Sequence, residues 1–195
     1  MFHSEADFQF ELATELRELG WTEIRLERPA PGQSGRIYVD IVARDPDGVR
    51  WAIELKYWTR KLELTLGDDV FELRDQSAHD LNRYAFCKDL ARVQRLVAEG
   101  VAQRGRVIAL TNDSAYWKPG RSEQCLDAAF RIHEGRELSG VLDWTRESGT
   151  TKGKGPLALS SPVALAWEDF CELDGKRGRF RLLDVRIPES AHPPG

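Results

Sequence analysis

Residues 36–58 constrain the fold more than any other stretch, because they combine two alternating apolar patterns with charged side chains. Apolar residues recur at every second position in residues 36–44 and again in residues 51–58, which is typical of two β-strands. The turn between them contains Pro46, which presets one turn dihedral, and Gly48, which accepts a positive one. The stretch therefore predicts a β-hairpin.

The same alternation predicts that two acids and a lysine share one side of the hairpin. Side chains in a strand repeat every two residues, so Glu54 and Lys56 leave the backbone on the same face. If the two strands pair across the turn, Asp40 comes beside Glu54. Burying such charges without partners costs roughly several kcal/mol each, so a metal site explains them at a lower cost than a purely structural role does.

The composition narrows the class of protein. A chain of 195 residues with 41% hydrophobic content predicts a single domain over residues 1–195. The formal net charge of −4 argues against bulk electrostatic coating of nucleic acid, although it permits local basic patches. Apolar runs fall far short of the ~20 residues that span a bilayer, and the first residues lack a signal-peptide pattern. We therefore expect a cytoplasmic protein with no membrane partner.

A first helix is predicted over residues 4–20, with Ser4 as its N-cap and Gly20 as its stop. The apolar stripe of this helix consists of Phe8, Leu12, Leu16 and Leu19. At about 100° per residue, Glu5 falls near the middle of that stripe and is aimed at the core. Two explanations remain open: the Glu5 carboxylate stabilises the helix N-terminus, or it serves the predicted metal site.

The remaining patterns predict an α/β protein. Strands are expected at residues 21–28 and 106–111, an extended segment at 59–67, and a long helix within residues 72–103. Together with the first helix and the hairpin, these elements give the order αβββαβ and a mixed sheet over residues 4–113. The elaboration at residues 114–195 is expected to contain a short helix at 123–130, a mobile loop near 149–162, and a β-hairpin of residues 163–172 and 179–187.

These features resemble the PD-(D/E)XK nuclease superfamily, which has the restriction-endonuclease-like fold. The superfamily motif has an Asp on one core strand and Glu-x-Lys on the next, here Asp40 and residues 54–56. The opening helix is similar to that of archaeal Holliday-junction resolvases, in which an acid leads the first helix, here Glu5. One departure is that Val39, rather than Pro, precedes Asp40.

The resemblance implies a nuclease that uses Mg²⁺, with Mn²⁺ as a substitute, to hydrolyse phosphodiester bonds, and we expect DNA in repair, recombination or defence as its substrate. Carboxylate oxygens suit Mg²⁺, so Asp40 and Glu54 are the expected metal ligands, and the resemblance adds the Leu55 carbonyl. Glu5 would complete the metal shell through water or help to hold a second ion. Lys56 would reach the attacking water or the scissile phosphate; the alternative is a salt bridge to Glu54 without a chemical role.

Further residues are candidates for a second layer and for contacts to nucleic acid. On the long helix, a polar row at spacing four is either solvated surface or a border of the active site, and its members are Gln76, Asp80, Tyr84 and Lys88. Gln76 is the first to test, because some superfamily members carry a Gln on this helix. Candidate contacts to nucleic acid are Lys88, Arg92, Trp117, Lys118 and Arg121. The resemblance also allows for a homodimer.

Two other functions stay open. The nuclease fold could persist without catalysis, as a module that binds nucleic acid or a partner protein. Alternatively, the Glu-x-Lys pattern is a coincidence and the carboxylates are structural. Binding of a divalent ion that depends on Asp40 separates the nuclease from the inactive module, and the effect of Asp40→Asn on folding in metal-free buffer tests the structural explanation.

Overall fold

The computed structural model describes residues 1–29, 38–120, 122 and 124–189. The residues outside this description are 30–37, which include the first two residues of the predicted hairpin, the candidate contact Arg121, and residues 123 and 190–195. The helices and strands are, in chain order, α1 Glu5–Glu18, β1 Thr22–Pro29, β2 Tyr38–Arg44, β3 Arg50–Trp58, β4 Leu62–Leu66, β5 Asp69–Leu73, α2 His79–Ala98, β6 Arg104–Thr111, α3 Ser114–Trp117, a 3₁₀ turn Ala128–Phe130, β7 Glu137–Leu138, β8 Val141–Leu142, β9 Leu157–Ala158, β10 Val163–Ala164, β11 Trp167–Glu172 and β12 Arg179–Ile187.

Six of the strands form one mixed sheet in the order β1-β2-β3-β6-β12-β11. Strands β3 and β6 run parallel, and all other neighbours in this sheet are antiparallel. A parallel pair requires a crossover connection, and here that connection contains α2. The predicted α/β class with a mixed sheet is therefore confirmed.

Strand β3 contributes to apolar clusters on both faces of the sheet. The residues that pack on the α1 side are Ile53, Leu55 and Tyr57. Ala52 and Trp58 belong to the other cluster, which contains the buried residues of α2. Because side chains alternate along the strand, Glu54 and Lys56 interrupt this second apolar face, between Ala52 and Trp58.

Helix α1 forms where the sequence predicts it. The Ser4 hydroxyl accepts the third-following backbone N–H at 3.1 Å, as an N-cap does. Gly20 follows the helix with a φ of +85°, a conformation that side-chain-bearing residues rarely adopt. Phe8 is buried, whereas Leu19 is 66% exposed. The buried stripe therefore ends earlier than the pattern indicates.

The long helix is shorter than the predicted 72–103. Strands β4 and β5 form an antiparallel hairpin, in which Glu72 pairs with Glu63, so the chain is still extended where the helix was expected to start. Helix α2 begins after Ala78, whose φ of 64° is left-handed, and ends at Ala98. No helix in the described residues has the length and apolarity needed to cross a membrane.

The C-terminal hairpin is part of the central sheet. Strands β11 and β12 pair as predicted, and β12 also pairs with β6, from Arg181 opposite Thr111 to Ile187 opposite Gly105. Among the described residues of the short helix predicted at 123–130, only the last three form a 3₁₀ turn, so that prediction is wrong. A short helix, α3, forms directly after β6 instead, where the Asp113 side chain accepts a backbone N–H at 3.0 Å.

Part of the loop predicted near residues 149–162 packs against α2. Thr151 and Leu159 are buried. The Gln94 side chain, on α2, accepts the backbone N–H of Ser160 at 2.8 Å and donates to the carbonyl of Ser161 at 3.0 Å. These contacts join the elaboration to the helix that also borders the candidate site.

Candidate functional site

The candidate site lies where β2 and β3 separate. The ladder between these strands ends at the pair Ile41 and Ile53. In the same register, the next pair would be Asp40 and Glu54, the two acids of the predicted motif. The loss of strand pairing at this position leaves the backbone amides of β3 in need of other acceptors.

Two carboxylates serve as those acceptors. The Leu55 N–H donates to Asp40 Oδ2 at 2.6 Å, and the Tyr57 N–H donates to Glu5 Oε2 at 2.8 Å. The Asp40 carbonyl in turn accepts a hydrogen bond of 2.7 Å from Gln9 on α1. Helix α1 and the end of β2 are thereby fixed against β3, and the predicted acids Glu5 and Asp40 lie at the same edge of that strand.

Glu54 is the most deeply buried acid of this group, with 1% exposure. Its Oε1 atom lies 3.2 Å from Arg92 Nε, yet neither atom has a hydrogen-bond partner among the described residues. Burial raises the pKa of Glu54 to about 8, Arg92 opposes the rise, and the neighbouring Asp40 carboxylate adds to it. Glu54 is therefore an acid whose negative charge the surrounding protein leaves incompletely balanced.

The pKa of Glu5 is raised as well, by its surroundings at β3. Although the residue as a whole is exposed, its carboxylate lies against β3. The loss of water there raises the pKa of Glu5, and the Lys56 ammonium is the main opposing influence. Of the two explanations left open for Glu5, the observed contact favours a place in the site, because its partner is a β3 amide.

Lys56 pairs with an acid that sequence reasoning missed. Its Nζ atom lies 2.7 Å from Asp89 Oδ2 and donates to the Leu55 carbonyl at 2.8 Å. Within the described residues, the ion pair recorded for Lys56 is with Asp89 rather than with Glu54, so the predicted alternative of a Lys56–Glu54 salt bridge is wrong. Asp89 is 4% exposed and also contacts Arg92, one helical turn further along α2. In the sequence, Asp89 directly precedes Leu90, a buried apolar residue of α2, and this position was the indication that Asp89 could be buried.

The site has an excess of negative charge. Its four carboxylates belong to Glu5, Asp40, Glu54 and Asp89, and its two cations belong to Lys56 and Arg92. With all six groups ionised, two negative charges remain, which is the charge that one divalent cation balances. Crowded carboxylates of this kind favour either protonation or a bound cation.

The predicted donor atoms are oxygens, the type of ligand that Mg²⁺ binds. In the part of the chain that the structure describes, no three His, Cys, Asp or Glu side chains converge into a metal cage. Asp40 and Glu54 offer two carboxylates, and the Leu55 carbonyl is the third predicted donor. Mg²⁺ commonly binds through one or two carboxylates and keeps several waters, so this set suffices. The Leu55 carbonyl now accepts from Lys56 and would have to be released.

The predicted second-layer row does not form. Gln76 is exposed and lies before α2, where its N–H bonds to the Thr59 carbonyl. Tyr84 is buried, and its hydroxyl donates to the Gly155 carbonyl at 3.1 Å, toward the elaboration. Asp80 lies in the first turn of α2, and Lys88 is exposed. The row is incomplete because the β4–β5 hairpin keeps the chain extended up to Leu73, so that α2 begins after Gln76.

The candidate contacts to nucleic acid after β6 are only partly exposed. Trp117 is 8% exposed and packs against Trp167, with ring centroids 6.0 Å apart, so its indole offers no free face to a base. Lys118 is exposed, and Arg121 lies outside the described residues. Arg92, the other candidate contact on α2 besides Lys88, lies at the site itself, against Glu54.

Comparisons with known proteins assign no family. The chain matches no protein-family model, no curated protein and no solved structure. The resemblance to the PD-(D/E)XK superfamily therefore rests on the residues of this chain alone.

Proposed function

We propose that this protein is a metal-dependent nuclease with a restriction-endonuclease-like core, that it uses Mg²⁺ or Mn²⁺, and that its substrate is DNA. The observation that carries the proposal is the buried Glu54 carboxylate next to Asp40, at the point where β2 and β3 separate; among the described residues, its Oε1 atom lies 3.2 Å from Arg92 Nε without a hydrogen bond. A buried acid in this state is costly unless a ligand balances its charge.

The order of the elements supports the same proposal. Helix α1, strands β1 to β3, helix α2 and strand β6 follow one another as in the expected core, with the β4–β5 hairpin inserted before α2. The acids come from α1, β2 and β3, and the lysine from β3. This order agrees with the superfamily pattern, in which the opening helix and the two motif strands supply the acidic residues.

The residues have separate roles in the proposed reaction. Asp40, Glu54 and the Leu55 carbonyl would hold the ion, and Glu5 would support it through water. A bound Mg²⁺ would supply positive charge to the phosphate oxygens and lower the pKa of a water molecule. Lys56 would place its ammonium against the attacking water or the scissile phosphate. To do so, it would leave the Leu55 carbonyl while Asp89 keeps it near the site.

A cleavage assay tests this function. Purified protein is incubated with single-stranded, double-stranded and branched DNA in Mg²⁺ or Mn²⁺. We expect cleavage that EDTA abolishes and that Asp40→Asn and Lys56→Ala reduce by about a thousandfold. Lys61→Ala is a matched control, because the Lys61 side chain is 62% exposed and pairs with Glu63. Cleavage that survives EDTA or Lys56→Ala would exclude the mechanism.

A catalytically inactive module that binds nucleic acid or a partner protein is the second candidate. The observation that favours it is the presence of built-in cations: Lys56 is held by Asp89 and the Leu55 carbonyl, and Arg92 faces Glu54. Calorimetry separates the two functions. Mg²⁺ or Mn²⁺ binding that disappears in Asp40→Asn supports the nuclease, whereas DNA binding without such ion binding supports the inactive module.

A further inference from the structure

Arg92 joins three groups at the mouth of the β2–β3 gap. Its Nε atom lies 3.2 Å from Glu54 Oε1, its Nη2 atom contacts Asp89 Oδ1, and its Nη1 donates to the Tyr38 carbonyl at 3.1 Å. The Arg92 side chain is 15% exposed, whereas that of Glu54 is 2% exposed. The Arg92 side chain is therefore the more solvent-accessible member of this pair.

The three contacts of Arg92 differ in quality. The contact with Glu54 lacks hydrogen-bond geometry, and both of its atoms remain without a hydrogen-bond partner among the described residues. The contacts with Asp89 and Tyr38 are a close ion pair and a hydrogen bond. A divalent ion bound to Glu54 would take over the charge balance that Arg92 provides, so the Glu54 contact is the one that Arg92 can give up.

We propose that Arg92 is a displaceable internal cation, which balances Glu54 in the ion-free protein and binds a phosphate of the nucleic-acid backbone once a divalent ion takes that carboxylate. The inference rests on the proposed nuclease function. Asp89 is then a positioning residue, because it holds both Arg92 and Lys56 on the α2 side of the gap. A guanidinium presents a planar fork of N–H groups that matches phosphate oxygens.

The inference requires two couplings of opposite sign. A guanidinium and a divalent ion on the same carboxylate repel each other, so the Arg92–Glu54 contact weakens ion binding. Once Glu54 is occupied, the same repulsion directs the Arg92 Nε–H away from that carboxylate while Asp89 and Tyr38 keep the side chain at the rim. Ion binding therefore strengthens phosphate binding by Arg92.

Ion titration tests the first coupling. Mg²⁺ is titrated calorimetrically into the wild-type protein, Arg92→Gln and Arg186→Gln. We expect Arg92→Gln to bind Mg²⁺ about fivefold or more tightly than the wild type does. Arg186→Gln removes the same charge from a side chain that is 74% exposed on β12, two strands from β3, and should match the wild type. Equal Mg²⁺ affinities in the wild type and Arg92→Gln would overturn the inference.

DNA binding tests the second coupling. The affinity for labelled DNA is measured by anisotropy with and without Ca²⁺, which limits cleavage. We expect Arg92→Gln to weaken DNA binding by about tenfold in Ca²⁺, with a much smaller effect without the ion. Arg92→Lys keeps the charge without the fork and should leave ion affinity near the wild-type value while weakening DNA binding. Thermal unfolding verifies that each variant folds.

The outcomes separate this inference from the proposed function. A wild-type protein that binds Mg²⁺ through Asp40, with Arg92→Gln unchanged in both ion and DNA affinity, overturns the inference and leaves the nuclease proposal intact. A wild-type protein that binds no divalent ion overturns both. If Arg92→Gln then gains ion binding, Arg92 is a permanent substitute for the ion rather than a displaceable one.

Discussion

Glu54 and Asp127 are buried to a similar degree, with exposed fractions of 1% and 4%. The two acids differ in how the surrounding residues balance their charge. Asp127 accepts hydrogen bonds from Arg83 at 2.6 Å and from Arg131 at 3.2 Å. Burial acts to raise the pKa of Asp127, but these two guanidinium groups outweigh it and the pKa is lowered. For Glu54, burial prevails over Arg92, and the pKa rises to about 8.

The different charge compensation of the two acids indicates that burial of a charge does not by itself mark a functional site. Asp127 has full hydrogen-bonded compensation, so it belongs to the structure that joins α2 to the elaboration. Glu54 lacks such compensation, and folding tolerates an acid of this kind where a ligand can supply the missing charge. The incomplete pairing of Glu54, rather than its depth, therefore supports the proposed function.

Removal of Asp127 should have the largest effect on stability. Asp127→Ala leaves the Arg83 guanidinium, which is 4% exposed, without its counterion. We expect the free energy of unfolding to fall by about 3–5 kcal/mol. Urea unfolding at neutral pH measures the change. A loss below about 1 kcal/mol would mean that Asp127 is no better compensated than a surface acid, and the comparison with Glu54 would fail.

Removal of the Glu54 charge should act in the opposite direction. In the ion-free protein the pKa of Glu54 is about 8, above its ordinary value of 4.5, so the folded state disfavours ionisation and loses stability as the pH rises from 4.5 to 8. In EDTA at pH 8, we expect Glu54→Gln to be about 4 kcal/mol more stable than the wild type, with the difference vanishing as the pH falls below 4.5. Urea midpoints across this range test the sign.

Asp127 should affect the pH dependence of stability in the opposite direction to Glu54. Because the pKa of Asp127 is lowered from 3.8, its stabilising contribution is present at neutral pH and is lost only as the pH falls below 3.8. A wild-type stability that does not change between pH 5 and pH 8 in EDTA would contradict the account of Glu54.

Added Mg²⁺ should stabilise the protein through Glu54 and not through Asp127. At about thirty times its dissociation constant, the ion adds about 2 kcal/mol to the free energy of unfolding. We expect this gain in the wild type and in Asp127→Ala, but not in Glu54→Gln or Asp40→Asn. Thermal unfolding with Mg²⁺ and with EDTA measures it. A gain retained by Glu54→Gln would place the ion elsewhere.

The smallest effect on the free energy of unfolding is expected at a surface ion pair. It serves as a reference for the larger effects above. Asp169 pairs with Arg179 at 2.8 Å, and their side chains are 61% and 51% exposed. Because water screens exposed charges, Asp169→Ala should cost less than about 1 kcal/mol in urea unfolding. A larger loss would show that charge removal in general destabilises this protein, and the Asp127 result would lose its meaning.

The local features of the protein can be predicted from its sequence. The alternation in residues 36–58 predicts the pairing of β2 with β3, and Ser4 and Gly20 mark the ends of the region around α1. A period of two also predicts that Glu54 and Lys56 share a face, because that direction depends only on backbone geometry within one strand.

Which charged side chains form pairs depends on the tertiary structure. The packing of α2 on β3 brings Asp89 to Lys56 and Arg92 to Glu54, across 33 and 38 positions in the chain. The β4–β5 hairpin moves Gln76 off the helix, and the aromatic core encloses Trp117. Periodicity indicates the direction of a side chain within its own element, but its partners depend on how distant elements pack, and this is why the compensation of Glu54 and Asp127 could not be predicted from the sequence.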